Sequence, residues 1–143
     1  MDELDESIIE YVDAGTIRYT TLAKKLNVPL STVHVRMKKL EKDGTIRHYK
    51  GDVDWKRAGL PLTAFVLINT DINLLKQLKK TQDKILKELL GMAYVKEGYV
   101  ITGEADMLIK IIARDTQHLK EILLKAVDTV EGIVNTKTII VLG

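Results

Sequence analysis

The sequence predicts an α+β protein of two parts, and two patterns in its 143 residues support that prediction. In the first 43 residues, apolar side chains recur three or four positions apart, which indicates short amphipathic helices. From residue 60 onward, β-branched runs and helical patterns follow the order β-α-β-β-α-β. Turn residues lie between the two parts without a low-complexity linker. We therefore expect domains at 1–53 and 62–143, joined by an ordered hinge at 54–61.

The first part contains three predicted helices. The first stops at Gly15, and Thr20 or Thr21 can cap the short second one. The third runs from about Pro29 to Asp43, and an extended segment or wing follows at 45–53. The apolar positions that define the three helix faces are Leu4, Ile8, Ile9 and Val12, then Leu22, Ala23 and Leu26, then Val33, Met37 and Leu40. Three short helices followed by a wing are typical of a winged helix-turn-helix.

The second part is predicted to be a ferredoxin-like βαββαβ domain, in which two helices cover one face of a four-stranded antiparallel sheet. Strands are expected at 62–68, 93–102, 107–113 and 134–142, and helices at 74–90 and 119–130. No helix is left for the other face of the sheet. Because an apolar face of that size is rarely left in water, we expect two copies to pair sheet to sheet as a homodimer.

Charge is distributed unevenly along the chain. Residues 1–17 hold six acidic residues and no lysine or arginine. Residues 18–50 hold nine basic and two acidic residues, 9 − 2 = +7, whereas residues 59–143 hold eleven basic and ten acidic residues. A local excess of this kind favours contact with a polyanion, although a solvated lysine-rich surface has the same pattern.

The third helix carries the predicted nucleic-acid contacts, because its outer side is polar and cationic. Ser31, His34 and Lys38 can hydrogen-bond base edges, and Val35 can contact a thymine methyl group. Thr32 flanks them on the same side. The predicted phosphate contacts are Arg36, Lys39 and Lys42 on this helix, with Arg18, Lys24, Lys25, Arg47 and Lys50 around it. An amphipathic bundle helix with a solvated basic face is the alternative.

Composition excludes several other classes. The chain has no cysteine, so it forms no disulfide or thiolate metal site, and its three histidines share no metal-ligand spacing. No apolar run approaches the roughly 20 residues of a membrane span. The acidic start does not resemble a signal peptide, which makes the cytoplasm the expected location. No nucleophile–base pair, catalytic carboxylate pair or phosphate-binding glycine loop is recognisable, so we expect no enzymatic activity and no cofactor.

Several segments together resemble the Lrp/AsnC (feast/famine, leucine-responsive) regulators over nearly the whole chain. In the first part these are Ala14-Gly15-Thr16-Ile17-Arg18-Tyr19, Leu22-Ala23-Lys24-Lys25-Leu26 and Thr32-Val33-x2-Arg36-Met37-Lys38-Lys39-Leu40. In the second they are Gly59-Leu60, Thr102-Gly103-x2-Asp106 and Thr136-x-Thr138-x2-Val141-Leu142. Each piece is weak alone, but their joint spacing is specific. The resemblance implies a sequence-specific DNA-binding transcription regulator whose second, RAM-type domain forms dimers, tetramers or octamers.

The resemblance also implies an amino-acid effector, bound where dimers meet. Carried over by position, the effector residues are Thr102, Gly103, Glu104, Asp106 and Thr138. A plain turn capped by Asp106 is the alternative. The chain departs from the family pattern at two positions. Ala105 replaces a frequent aromatic residue, and Pro29 replaces a frequent capping serine, so that Asn27 or Val28 is expected to cap the third helix.

Two other functions remain open at this point. Certain tetrapyrrole decarboxylases resemble these regulators in architecture, although their helix-turn-helix has lost its basic face. A metabolite sensor that acts on protein partners instead of DNA is the other alternative.

Overall fold

The computed structural model describes residues 1–47 and 51–143. The chain separates into two compact units, Met1–Asp52 and Val53–Gly143, and each is described by itself. Among the residues described, no helix combines the length and apolar character that crossing a bilayer requires.

The first unit is a three-helix assembly of α1 (Glu3–Asp13), α2 (Tyr19–Leu26) and α3 (Leu30–Lys42). Each helix contributes apolar side chains from one face to a common core, as the helical spacing predicts. The fully or almost fully buried core residues are Ile8, Leu22, Val33, Met37, Leu40 and Ile46. The sequence predicted the first five of these as core residues. The sixth, Ile46, follows α3 in the chain and packs against the same core.

Two details of the first unit differ from the sequence prediction. Neither Asn27 nor Val28 caps α3, because Pro29 is its N-cap, in an extended conformation and without a side-chain cap. Proline at this position gives up no hydrogen bond, since the first amides of a helix have no partner inside the helix. No strand forms at 45–47 or 51–53, and the rest of the predicted wing, 48–50, lies outside the described residues.

The second unit has the predicted ferredoxin-like sheet. Its strands are β1 (Leu62–Thr70), β2 (Val95–Val100), β3 (Met107–Ala113) and β4 (Ile133–Ile140). They lie in the order β2-β3-β1-β4, and every neighbouring pair is antiparallel. The second strand is shorter than the expected 93–102 because Ala93 and Tyr94 form a turn, with Tyr94 at the positive φ of 72°.

The single helix expected at 74–90 is two helices, α4 (Ile72–Leu78) and α5 (Gln82–Leu90). Lys79 takes the left-handed conformation and ends α4. The Thr81 hydroxyl then caps α5 by accepting from the Lys84 N–H at 3.2 Å. Apolar residues keep the helical spacing across this break, so periodicity alone predicts one continuous helix. Thr81 is the sequence signal that a second helix begins here. The last helix, α6 (Thr116–Thr129), begins where Asp115 accepts from the His118 N–H.

The two faces of the sheet have different environments. On one face, Ala64, Val66 and Ile68 of β1 are buried beneath the helices. On the other, Phe65 and Leu67 are only half-buried, and their cross-strand neighbours include Leu108 and Ile139. We call five partly or largely exposed apolar side chains of this second face the open face: Phe65, Leu67, Tyr99, Leu108 and Ile139. Tyr99 is 54% exposed and Ile139 is 48% exposed, so the open face is substantially hydrated in one chain.

The segment predicted as a hinge, 54–61, lies in the second unit. It forms consecutive turns in which the Ala58 and Leu60 amides donate to the carbonyls of Asp54 and Trp55. The Lys96 ammonium lies 4.6 Å from the centre of the Trp55 ring, at a distance suited to a cation–π contact. Trp55 is therefore in contact with β2 of the same unit.

Candidate nucleic-acid interface and effector loop

The connection between α2 and α3 is a tight turn. Asn27 ends α2 in the left-handed conformation, at φ 53°, which asparagine tolerates better than most residues. The amides of Asn27 and Val28 donate to the carbonyls of Lys24 and Ala23, at 3.3 and 3.1 Å. These bonds satisfy carbonyls at the end of α2 and turn the chain directly into α3.

The α3 helix presents one side to the core and the other to solvent. Val33 and Met37 are fully buried against the other two helices. Val35, between them in the sequence, is 67% exposed. The exposed candidate contacts on α3 are Ser31, His34, Val35, Lys38, Lys39 and Lys42, while Thr32 is half-buried. The predicted outward placement of the polar, cationic side is therefore present in the structure.

The exposed His34 is positioned by its neighbours. Its ring meets the Tyr19 ring edge-on, with centroids 5.4 Å apart. The Tyr19 hydroxyl donates to Glu41 Oε1 at 3.1 Å, which links the start of α2 to the end of α3. Burial, followed by the hydrogen bond to Glu41, raises the pKa of Tyr19. This arrangement holds the His34 imidazole at the helix surface.

The candidate phosphate contacts outside α3 are also exposed. They are Arg18, Lys24, Lys25 and Arg47, and the predicted contact Lys50 lies outside the described residues. Lys25 has a partner within the unit, because its ammonium lies 5.4 Å from the centre of the Tyr11 ring. An exposed cation–π contact of this kind is weak, so it leaves Lys25 able to reach a phosphate.

Arg36 does not have the arrangement predicted for a phosphate contact. Its guanidinium donates to the carboxylates of Asp2 and Asp5 at the start of α1. Asp5 is almost fully buried, with 4% of its side chain exposed, and a buried carboxylate needs a charged partner. The hydrogen bond from Arg36 lowers the pKa of Asp2 to about 2, and bonds to Asp2 and Asp5 raise the pKa of Arg36. Arg36 therefore fastens α3 to α1.

The loop predicted to bind an effector combines an exposed tip with a structural anchor. Thr102, Gly103 and Glu104 are exposed, and Gly103 has a φ of 116°, which glycine adopts readily. Asp106 is half-buried, and its Oδ2 accepts from the amide and the hydroxyl of Thr70 at 2.8 and 3.0 Å. One carboxylate oxygen of Asp106 thus ties the loop to the end of β1, which agrees with the alternative of a capped turn.

Thr138 lies apart from this loop within one chain. It pairs with Val66 on β1, is exposed, and lines a groove between α6 and β4 of about 420 Å³. Within the described part of the chain, the lining of that groove includes none of residues 102–106. Thr138 and the Gly103 loop therefore do not share this groove.

Sequence reasoning missed two groups of interacting side chains. One is the pairing of Asp2 and Asp5 with Arg36, for which the opposite charges of residues 1–17 and 18–50 were an available signal. The other lies where α6 follows β3, and contains Tyr94 and His118. Neither residue belongs to a recognisable motif.

A short helix, a tight turn and a second helix with a free cationic side define a helix-turn-helix DNA-binding protein, here with a ferredoxin-like second unit. Comparisons with known proteins identify the family. A family model of winged helix-turn-helix DNA-binding domains matches residues 1–47, and one of the Lrp/AsnC ligand binding domain matches residues 63–143. The chain belongs to the Lrp/AsnC family of transcriptional regulators.

Relatives and solved structures agree along the whole chain. The regulatory protein AsnC of Escherichia coli is 31% identical over 144 residues, which span 99% of this chain and 90% of AsnC. An HTH-type transcriptional regulator of Pyrococcus horikoshii is 28% identical over 139 residues, 96% of this chain and 84% of that protein. The structure of E. coli AsnC superposes with a TM-score of 0.79 at 29% identity, covering 100% of this chain and 93% of that one.

A transcriptional regulator of Neisseria meningitidis, solved as a complex with L-Met, has the same fold. Its TM-score is 0.82 at 19% identity, covering 100% of this chain and 90% of that one. At this level of identity the likeness concerns the fold alone.

Proposed function

We propose that this regulator reads double-stranded DNA with the outer side of α3, as a homodimer whose second domain senses an amino acid or related metabolite. The observation that supports DNA reading most directly is Val35. Its β-branched apolar side chain is 67% exposed on the outer side of α3, which it shares with the exposed cation Lys38. A thymine methyl group in the major groove is a suitable partner for it.

Contacts on α3 are proposed to divide by chemistry. Ser31, His34 and Lys38 offer donors to base edges beside Val35, with Thr32 at their flank. The proposed phosphate contacts are Lys39 and Lys42 on α3, and Arg18, Lys24, Lys25 and Arg47 around it. Arg36 is left out of this set because its Nη1 already donates to both Asp2 and Asp5.

Dimerisation is proposed to occur through the open face. Pairing two copies would remove Phe65, Leu67 and their half-exposed neighbours from water, which is the usual fate of an apolar sheet face without helices. A two-fold dimer presents two copies of α3 to successive major grooves about 34–36 Å apart, so the operator is expected to be palindromic. Tetramers or octamers follow by analogy with the family.

Substitutions on α3 test the proposed DNA contacts. Val35→Ala and Lys38→Ala are expected to lower affinity for the preferred operator by about 10-fold while changing binding to random DNA little, since base contacts supply discrimination. Lys42→Ala is expected to weaken operator and random DNA alike and to reduce the log–log salt slope by about 0.9, the value for one phosphate no longer neutralised. Fluorescence anisotropy with both DNAs at several salt concentrations gives these values.

The same data can contradict the assignment of α3. If Val35→Ala, Lys38→Ala and Lys42→Ala all weaken operator and random DNA in equal proportion, α3 is not the base-reading helix. Failure of the unaltered protein to bind its own promoter even at low ionic strength would reject DNA binding itself. A metabolite sensor acting on protein partners would then be favoured.

The effector proposal rests on the match to the Lrp/AsnC ligand binding domain and on the exposed loop tip, with the L-Met complex of the Neisseria regulator as an example of the ligand class. Free amides near Gly103 can hold a carboxylate, and Glu104 can accept from an ammonium group. Thr138 is proposed to contribute its hydroxyl from another subunit. Because Asp106 already accepts two bonds from Thr70, its proposed contribution is limited to the second carboxylate oxygen.

Calorimetric titration with amino acids tests the effector site through two variants. Glu104→Gln is expected to weaken amino-acid binding about 10-fold without changing stability, because the side chain is exposed. Asp106→Ala is expected to abolish binding and also to lower the free energy of unfolding by about 1–3 kcal/mol, since the buried Thr70 amide loses its acceptor. If no amino acid binds the unaltered protein, the proposal is rejected.

A DNA-binding role places the protein where the chromosome is, which is why we propose a cytoplasmic location. No catalytic step is part of the proposal. The related decarboxylase architecture is tested by absorbance near the Soret band, which this regulator is expected to lack when purified.

A further inference from the structure

A second cavity of the C-terminal unit lies far from the loop around Gly103. Its volume is about 240 Å³, and its walls are formed by residues of the turn before β2 and by residues of α6. The β2–β3 pair carries the Gly103 loop at one end and this cavity at the other. With about 3.3 Å per residue along β2, the two ends are separated by roughly 16 Å. A ligand in the cavity would therefore not touch the effector loop of the same chain.

The lining of the cavity includes a buried imidazole. His118 is 6% exposed, and its Nδ1 accepts from the Arg114 amide at 2.9 Å. The ring proton is therefore on Nε2, which has no partner among the described residues. In the described part of the chain, every side-chain nitrogen that is closed off from solvent has a hydrogen-bond partner. A nitrogen without a partner, such as His118 Nε2, is therefore accessible. The Nε2–H donor consequently reaches the cavity, which His118 lines.

Other donors surround the same space. The Tyr94 ring packs edge-on against His118, with centroids 4.4 Å apart, and the Arg114 guanidinium lies 3.5 Å from the Tyr94 hydroxyl. Lys125 of α6 is the second cation of the lining. Neither Arg114 nor Lys125 forms an ion pair with a carboxylate within residues 1–47 and 51–143. Two cations without a carboxylate partner in the described part of the chain thus line the same cavity as the His118 imidazole.

One acidic and several apolar groups narrow the ligand class. Glu121 also lines the cavity, so the charge of Arg114, Lys125 and Glu121 together is 1 + 1 − 1 = +1. This balance suits one negative charge better than two. Met92 and Ile122 form an apolar wall suited to a short hydrocarbon group. Tyr94 is held at a φ of 72°, a conformation that is unfavourable for an aromatic residue.

We propose that this cavity is a second small-molecule site, which binds an organic monocarboxylate with a short apolar group. The carboxylate accepts from His118 Nε2 and from the Arg114 guanidinium, and Lys125 adds charge from α6. The apolar end of the ligand packs against Met92 and Ile122. Both a 2-oxo acid and an amino acid carry this carboxylate, and an amino acid would also place its ammonium near Glu121.

Proton NMR of the full-length protein tests this proposal. The chain has three histidines, so the imidazole signal of His118 can be assigned by His118→Gln and followed separately from that of His34. Titration with pyruvate or L-alanine is expected to shift the His118 signal saturably and to leave that of His34 in place. A larger response to L-alanine than to pyruvate would support the Glu121 contact, and the reverse would support the 2-oxo acid.

Variants connect the shift to the cavity. Arg114→Gln is expected to weaken the response of His118 at least 10-fold, because it removes a charge-assisted hydrogen bond. Lys120→Gln removes an exposed cation from the same helix without touching the cavity lining, and is expected to leave the response unchanged. The proposal is overturned if neither pyruvate nor L-alanine shifts the His118 signal, including the case in which inorganic phosphate shifts it and the two carboxylates do not. It is also overturned if the Arg114→Gln protein responds like the unaltered protein. None of these outcomes depends on DNA binding or on the Gly103 loop.

Discussion

Replacing Leu67 with lysine is expected to convert the proposed dimer into monomers. Leu67 is central in the open face, where it pairs with Leu108 on one side and with Lys137 on the other. A lysine there would carry an unpaired charge into the middle of the proposed interface, which costs several kcal/mol of association free energy. Because two linked recognition helices bind far more tightly than one, operator affinity should fall by about 10²–10⁴-fold. Light scattering and anisotropy measure the two effects.

A matched substitution separates this effect from general damage. Leu124 on α6 is also an exposed leucine, at 54%, but it does not belong to the open face. Leu124→Lys is expected to retain the dimer and its operator affinity. Leu67 is half-buried in the single chain, so Leu67→Lys should keep the far-UV circular dichroism of the folded protein. A Leu67→Lys protein that remains dimeric at micromolar concentration contradicts the open face as the interface.

Periodicity was sufficient to predict most of the fold. The inner residues of α3 and the alternation along β1 both follow directly from which side chains are apolar, and the order of elements then leaves few topologies. The break between α4 and α5 was missed because apolar residues on both sides keep the helical spacing while Lys79 adopts a left-handed conformation. That conformation depends on the local backbone and has no apolar signature.

The candidate site was predictable only in part, for a physical reason. Which residues of α3 face outward follows from helix geometry, and this determines the exposure of Val35 and Lys38. Whether an exposed cation is free depends instead on partners distant in sequence. Arg36 meets Asp5 across 31 positions, and Asp106 meets Thr70 across 36. Such pairs come together only through the tertiary fold, so a residue pattern alone does not distinguish them from contacts with solvent or DNA.

Replacing Arg36 with glutamine is expected to destabilise the N-terminal unit through its effect on Asp5. The buried Asp5 carboxylate is left without its charged partner, which lowers the free energy of unfolding, though by less than for a fully buried pair because solvent reaches the Arg36 side. Lys38→Gln, on the same helix but exposed, is expected to change stability little. Urea unfolding followed by circular dichroism compares the two.

Acid adds an independent test of the same contact. The pKa of Asp2 is about 2 in the folded protein against an ordinary 3.8, so the Asp2 contribution is present above pH 3.8 and is lost as the pH falls through about 2. Arg36→Gln should reduce this part of the acid dependence without abolishing it, because the Asp5 amide still donates to the Asp2 carboxylate. Lys38→Gln should preserve it. Operator binding should give the opposite ranking of the two variants. When both are fully folded, Lys38→Gln should reduce operator affinity and Arg36→Gln should leave it unchanged. An Arg36→Gln protein of unchanged stability but with a lower salt slope would show that Arg36 contacts phosphate after all.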